Sequence, residues 1–170
     1  MRIVVALGGN ALLERGERPD SDIQESHVAS AVDALKPLLD SHQVVITHGN
    51  GPQVGVLAME SAGDPALSRP YPFDVLGAQT QGMNGYWLIQ ALHAAMLGKP
   101  AVCPICRTVV RAGDAAFGNP AKFVGPAYDK ATAVRLAAAH GWDSCEDGKA
   151  WRRWCRRPSR SQLSNLRRSG

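Results

Sequence analysis

The stretch Arg2-Ile3-Val4-Val5-Ala6-Leu7-Gly8-Gly9-Asn10 decides the fold class. A short β-branched and apolar run that stops at paired glycines reads as a strand of a parallel sheet, buried on both faces, that delivers the chain into a tight loop. The pattern returns at Gln43 to Thr47, which run into His48-Gly49-Asn50-Gly51-Pro52. Between the two, Ile23, Val28, Ala31, Val32, Leu35, Leu38 and Leu39 recur at helical spacing. That spacing predicts a helix over 21–39, with Ser21 or Asp22 as N-cap, Glu25 available to a capping box, and a bend at Pro37. Pro52 to Glu60 reads as a second helix with proline in its first turn. Strand, loop and helix thus occur twice, which predicts an α/β fold with a mostly parallel sheet sandwiched by helices.

Farther along, Asp74 to Leu97 carries a long apolar helical pattern, and Lys99-Pro100 ends it before a third strand-like run, Ala101 to Val110. Met83, Tyr86, Trp87, Ile89 and Leu92 of that helix exceed what one sheet face covers. Part of it is therefore expected to face a partner; a core helix covered on both sides is the other reading. Arg111 to Tyr128 is rich in Gly, Pro and Asn and reads as an excursion or small subdomain. Asp129 to His140 reads as a final alanine-rich helix closed by Gly141 at the C′ position.

With 170 residues and 45% hydrophobic content, one domain with a real core is expected. No charged leader precedes a long apolar run, and no stretch of about 18 apolar residues occurs, so a cytoplasmic protein is expected. The four cysteines are read as thiols: Cys103 and Cys106 form a C-x-x-C within an apolar run, without a second pair at zinc spacing. No metal-ligand cluster and no catalytic triad is read. The formal charge of +4 suggests nucleic acid until its location is considered. All 15 acidic residues precede Trp151, while Arg152, Arg153, Arg156, Arg157, Arg160, Arg167 and Arg168 follow it. The body is mildly acidic and the basic character belongs to the tail.

In a parallel sheet, ligands sit outside the carboxyl ends of the strands, where loop amides and helix N-termini are unpaired. Both glycine loops fall there. Gly8, Gly9, Gly49 and Gly51 allow close approach of the backbone to an anion, and Asn10 and Asn50 add amide groups that orient a small planar acid. The first loop lacks G-x-G-x-x-G spacing, and neither has the G-x-x-x-x-G-K-[ST] of a Walker A site, which disfavours a dinucleotide fold. Alone, each loop is more often a plain tight turn between strand and helix. His48 has a loop position from which it could meet substrate; His27, His42, His93 and His140 read as ordinary surface residues.

The joint wording of these loops resembles the carbamate kinases. Ala6 to Leu12 reads Ala-Leu-Gly-Gly-Asn-Ala-Leu, His48 to Gly55 reads His-Gly-Asn-Gly-Pro-Gln-Val-Gly, and Pro70 to Gly77 matches a further segment with Phe73 in place of Leu. Gln81-Gly82-Met83, Gly85-Tyr86, Ala116-Phe117, Asn119-Pro120, Lys122, Gly125-Pro126, Tyr128, Asp147-Gly148-Lys149 and Trp151-Arg152-Arg153 keep the family's order. Ala6-Leu7 stand where acetylglutamate and uridylate kinases place a lysine.

The resemblance implies reversible phosphoryl transfer between ATP and carbamate, with carbamoyl phosphate and ADP as the other pair, Mg²⁺ on the nucleotide phosphates, and a homodimer serving arginine fermentation. It makes Gly8, Gly9, Asn10, His48, Gly49, Asn50 and Gly51 the binders of carbamate or carbamoyl phosphate. It makes Lys122 the catalytic lysine, reaching from a small protruding subdomain near residues 110–128; Phe123 replaces the family's usual proline beside it. Another acyl-phosphate-forming amino-acid kinase and a non-catalytic anion-binding fragment are the alternatives. Residues 1–153 are read as the N-terminal half of such an enzyme, the nucleotide half being absent, and the chain as inactive on its own. After Arg153 the family's wording stops. Back-translating the tail with GC-rich codons and shifting one base restores a family-like continuation, so 154–170 are read as an out-of-frame, disordered tail. An arginine-rich arm for nucleic acid is the rival reading.

Overall fold

The computed structural model describes residues 1–14, 16–96, 98–110, 113–115, 118–119 and 122–155. They belong to two compact units, Met1–Cys106 and Arg107–Gly170.

In the first unit, β1 (Arg2–Leu7) and β2 (Gln43–His48) pair in parallel, Arg2 opposite Gln43 through Leu7 opposite His48. The connection between them is α1 (Ser21–Ser41), which runs through Pro37. Its N-cap is Asp20, one residue before the expected position, and the Asp20 side chain makes no capping hydrogen bond. Helix α2 (Gly51–Gly63) follows β2 directly, and α3 (Phe73–Ala95) is the long apolar helix. Leu12, Val28, Val32, Leu39, Trp87 and Leu88 form the core, with Leu7, Val44, Ile46, Met83 and Leu92 packed against it. The α/β class with a parallel sheet and flanking helices is therefore the observed one.

Four expectations are corrected. Burial alternates along β1 and β2, so each strand is covered on one face and not on both: Val4 is 67% and Val45 45% exposed. Ala101–Val110 forms no strand; the segment has no sheet partner among the described residues, and Val102 is 89% exposed. Three of the five apolar residues assigned to surplus on α3 are needed by the core, since Met83, Trp87 and Leu92 all pack into it, while Tyr86 stays outside at 62% exposure. Finally, the excursion after Arg111 ends in a strand, β3 (Lys122–Tyr128).

In the second unit β3 pairs antiparallel with β5 (Ala150–Cys155), which pairs in turn with β4 (Asp143–Asp147). The β3 register shifts between Val124 and Tyr128, the interval that contains Gly125-Pro126, where proline has no amide to give to a ladder. Gly148, at φ 67, opens the two-residue turn between β4 and β5. Helix α4 (Lys130–His140) is capped by Asp129, whose carboxylate accepts from the Thr132 amide at 2.9 Å, and closed by Gly141 at φ 63. Strand β5 runs past Arg153 through Trp154 and Cys155, and Trp154 stacks on Phe123 at 6.2 Å. Residues 156–170, the remainder of the expected tail, lie outside the described residues.

Candidate functional site

The two glycine loops leave the carboxyl ends of β1 and β2 as neighbours because the strands are paired in register to their last residues. The Gly49 amide donates to Leu7 O at 3.0 Å, extending the ladder by one bond into the second loop. A methyl group on Gly49 would stand 3.4 Å from the Gly9 nitrogen, and one on Gly9 would stand 3.6 Å from Pro52 Cδ. The two loops are thus neighbours, and a methyl group on Gly49 would stand in van der Waals contact with the first loop. At Gly8 and Gly51 an added methyl group would meet nothing within 4 Å.

The first loop closes as a 3-10 turn over Gly9–Ala11, with Gly8 O accepting from Ala11 N at 3.0 Å and Gly9 O from Leu12 N and Leu13 N at 3.1 Å. Leu12, fully buried, anchors that turn in the core. Asn10 lies in the turn.

The second loop is held from α3. Asn50 is the N-cap of α2, yet its side chain does not cap the helix. Its Nδ2 donates instead to Thr80 Oγ1 at 2.7 Å, and Thr80 Oγ1 donates onward to Gly77 O at 2.9 Å. One turn along α3, Asn84 Nδ2 lies 3.3 Å from His48 Nδ1 and donates to Gly49 O at 3.4 Å. His48 Nδ1 is itself 3.0 Å from Gly49 O. The His48 ring is therefore turned onto its own loop. Gln53, in the first turn of α2, is 1% exposed and donates to Gln24 Oε1 at 2.8 Å, while Gln24 Nε2 donates to Pro19 O at 2.8 Å. These bonds tie the starts of α1 and α2 together. The sequence singled out neither Thr80 nor Asn84; their spacing of four was the available signal, and it is blurred by the other polar residues of α3, Gln79, Gln81 and Gln90 among them.

Of the expected site residues, Gly8, Gly9, Asn10, His48, Gly49, Asn50 and Gly51 are thus gathered around two neighbouring loops. Lys122 is the first residue of β3 in the second unit, in register with Cys155. Two titrating groups of that unit are shifted: burial raises the Tyr128 hydroxyl, and the Thr132 backbone amide, then its hydroxyl, holds the Asp129 carboxyl low. Among the described residues no three His, Cys, Asp or Glu side chains are grouped to hold a metal ion, and no helix is long and apolar enough to cross a membrane. A shallow cleft at the opposite end of the strands, lined by Arg2, His42, Gln43 and Lys99 among others, is bridged by Lys99 Nζ donating to Leu39 O at 3.1 Å.

The first turn of α2 presents amides that its N-cap side chain does not occupy, at the positive end of the helix dipole.

The carbamate kinase of Rhizobium meliloti (strain 1021) is 44% identical over 169 residues, an alignment covering 98% of this chain and 52% of that protein. A crystal structure of a protein from Aeropyrum pernix K1 superposes with a TM-score of 0.85 at 33% identity, covering 93% of this chain and 53% of the other. The carbamate kinase of Giardia lamblia bound to AMP-PNP superposes with a TM-score of 0.76 at 37% identity, covering 92% and 52%. The chain spans about half the length of the curated relatives it matches. The model of the amino acid kinase family matches residues 1–141, both glycine loops included, and the chain belongs to that family.

Proposed function

We propose that this chain supplies the carbamate-binding part of a carbamate kinase, which transfers a phosphoryl group reversibly between carbamoyl phosphate and ADP. The observation that carries the reading is the juxtaposition of the two glycine loops at the start of α2. The similarity to carbamate kinases over nearly the whole chain supports it.

In the direction of ATP synthesis, an oxygen of the ADP β-phosphate attacks the phosphorus of carbamoyl phosphate. The bond from phosphorus to the carbamate oxygen breaks, and carbamate leaves with the electron pair. Such a transfer asks the protein chiefly for positioning and charge stabilisation. Amides from Gly8, Gly9, Asn10, Asn50 and Gly51 hold the anionic oxygens, and the N-terminus of α2 adds about 0.3–1 kcal/mol, up to about 2 when partly buried. For Lys122 the matched wording around it supports the role of neutralising the transferring group. Mg²⁺ would accompany the nucleotide phosphates, as the carbamate kinase reading implies. A cytoplasmic homodimer acting in arginine fermentation is the setting this reading implies for the whole protein.

We further propose that the 170-residue chain does not turn over by itself. Transfer gains most of its rate from holding both substrates together, with effective molarities that reach about 10⁵–10⁸ M. The test is carbamoyl-phosphate-dependent ATP formation by the purified chain, alongside a titration with carbamoyl phosphate followed at the backbone amides. Shifts at Gly8, Gly9, Asn50 and Gly51 without ATP formation are expected. ATP formation that is lost on Lys122→Ala would overturn the proposed inactivity, and amides indifferent to carbamoyl phosphate would overturn the site.

A further inference from the structure

We propose that Thr80 and Asn84 are positioning residues that set the second glycine loop for its ligand, an inference resting on the reading of that loop as an anion site. They stand four apart on α3, so they share one face of the helix. Both are 0% exposed. A polar pair on the buried side of an apolar helix costs stability unless its hydrogen bonds are made, and here the bonds go to one place. Thr80 takes the Asn50 side chain and Asn84 takes the Gly49 carbonyl.

His48 completes the arrangement. If Nδ1 carried a lone pair, its 3.0 Å contact with Gly49 O would set one acceptor against another. With a proton on Nδ1, the ring and Asn84 Nδ2 both donate to Gly49 O, at 3.0 and 3.4 Å; the 3.3 Å approach of Asn84 Nδ2 to Nδ1 is then donor against donor, a longer contact that the 3.0 Å bond outweighs. The Nδ1–H tautomer is the one this geometry selects. His48 then serves its own loop and not the ligand directly.

The consequence follows from peptide planarity. The Gly49 carbonyl and the Asn50 amide belong to one trans peptide unit, so they point in opposite directions. Two donors draw the carbonyl toward the buried face of α3, and the Asn50 N–H is thereby aimed away from α3, toward the open side of the loops. Thr80 meanwhile takes one amide hydrogen of Asn50 and keeps that side chain from folding back over the first turn of α2, where it would cap the helix and occupy the ligand's donors. Among the described residues the Asn84 Oδ1 atom is buried without a hydrogen-bond partner, as is Gln53 Oε1.

The experiment uses the ¹⁵N-labelled 170-residue chain as wild type, Asn84→Leu, Thr80→Val and Thr80→Ser. Ligand-free wild type should show the Nδ1–H tautomer of His48 in long-range ¹H–¹⁵N spectra. Asn84→Leu should hold or raise the denaturant midpoint, because it removes an unpaired buried oxygen. It should nevertheless move the Asn50 amide resonance and weaken binding of inorganic phosphate about tenfold, the loss of one hydrogen bond. Thr80→Val should weaken phosphate binding similarly, and Thr80→Ser, which keeps the hydroxyl, should restore it. A wild-type Nε2–H tautomer, or phosphate affinity that falls only in step with the denaturant midpoint, would overturn the proposal. Should wild type ignore phosphate altogether, the anion reading of the loops fails. The tautomer and the Asn50 resonance then still decide whether α3 sets the loop.

Discussion

On one face of the β1–β2 pair, Leu7, Val44 and Ile46 pack into the core made by α1 and α3; on the other, Val4 and Val45 sit opposite each other in register and are exposed. The covered face is the more apolar, with Ile3, Val5, Leu7, Val44 and Ile46 beside His48, but Val4, Ala6 and Val45 on the other face are just as fit for burial as Val5 and Val44. Their different fates show that side-chain character marks a residue as fit for burial but does not supply the layer that buries it. The connection through α1 places one helix on one face, α3 joins it there, and the described residues of this unit leave the other face open.

The largest test of this asymmetry is Leu12→Ala, at a fully buried core position between the first glycine loop and α1. It should cost about 2–5 kcal/mol in denaturant unfolding, because the site cannot collapse around the loss. A cost comparable to that at an exposed position would mean the covered face is not the foundation of the unit. Next is Gly85→Ala. An added methyl group on the buried side of α3 would collide with the Cys103 sulfur, so about 1–3 kcal/mol of overpacking is expected, partly relieved by combining it with Cys103→Ala. An unchanged midpoint would show that the 101–106 segment does not lie against α3.

A third test serves as control in the second unit, which contains neither face. Asp129 has its carboxyl held low by the Thr132 amide, so its contribution to α4 is fully present above the ordinary aspartate range. It should fade as pH falls below about 5 and through the lowered folded value. Fluorescence of the tryptophans against pH reads this, and Asp129→Asn should keep the cap while flattening the acid limb. Smallest of all, Val45→Thr should stay within about 0.5 kcal/mol of wild type. A larger loss that grows with protein concentration would reveal a second molecule covering that face.

Elements with a local cause were legible. Helix α1 was expected over 21–39 and spans Ser21–Ser41; α4 was expected to end at Gly141 and does so in the left-handed conformation only glycine adopts freely. The Ala101–Val110 run was not legible as coil, because its apolar residues match a strand and only the missing ladder distinguishes the two. The β4–β5 hairpin was not legible because its strands carry Asp143, Glu146, Asp147, Arg152 and Arg153 where an apolar alternation would mark a strand. At the candidate site the glycines were legible and their support was not. Thr80 and Asn84 lie some thirty residues beyond the loop they hold, and nothing local announces the contact.

Asn50 heads α2 without capping it, and that choice sets the dynamics of the helix. An N-cap bond is worth about 0.5–2 kcal/mol, so the first turn of α2 opens to solvent that much more readily than a capped turn would. Its amides should therefore be the fast hydrogen exchangers of an otherwise protected helix. On the proposed reading of the loops, an anion bound there would supply the missing cap from outside, closing the turn and slowing that exchange. Occupancy of the loops and the local folding of α2 would then be one equilibrium.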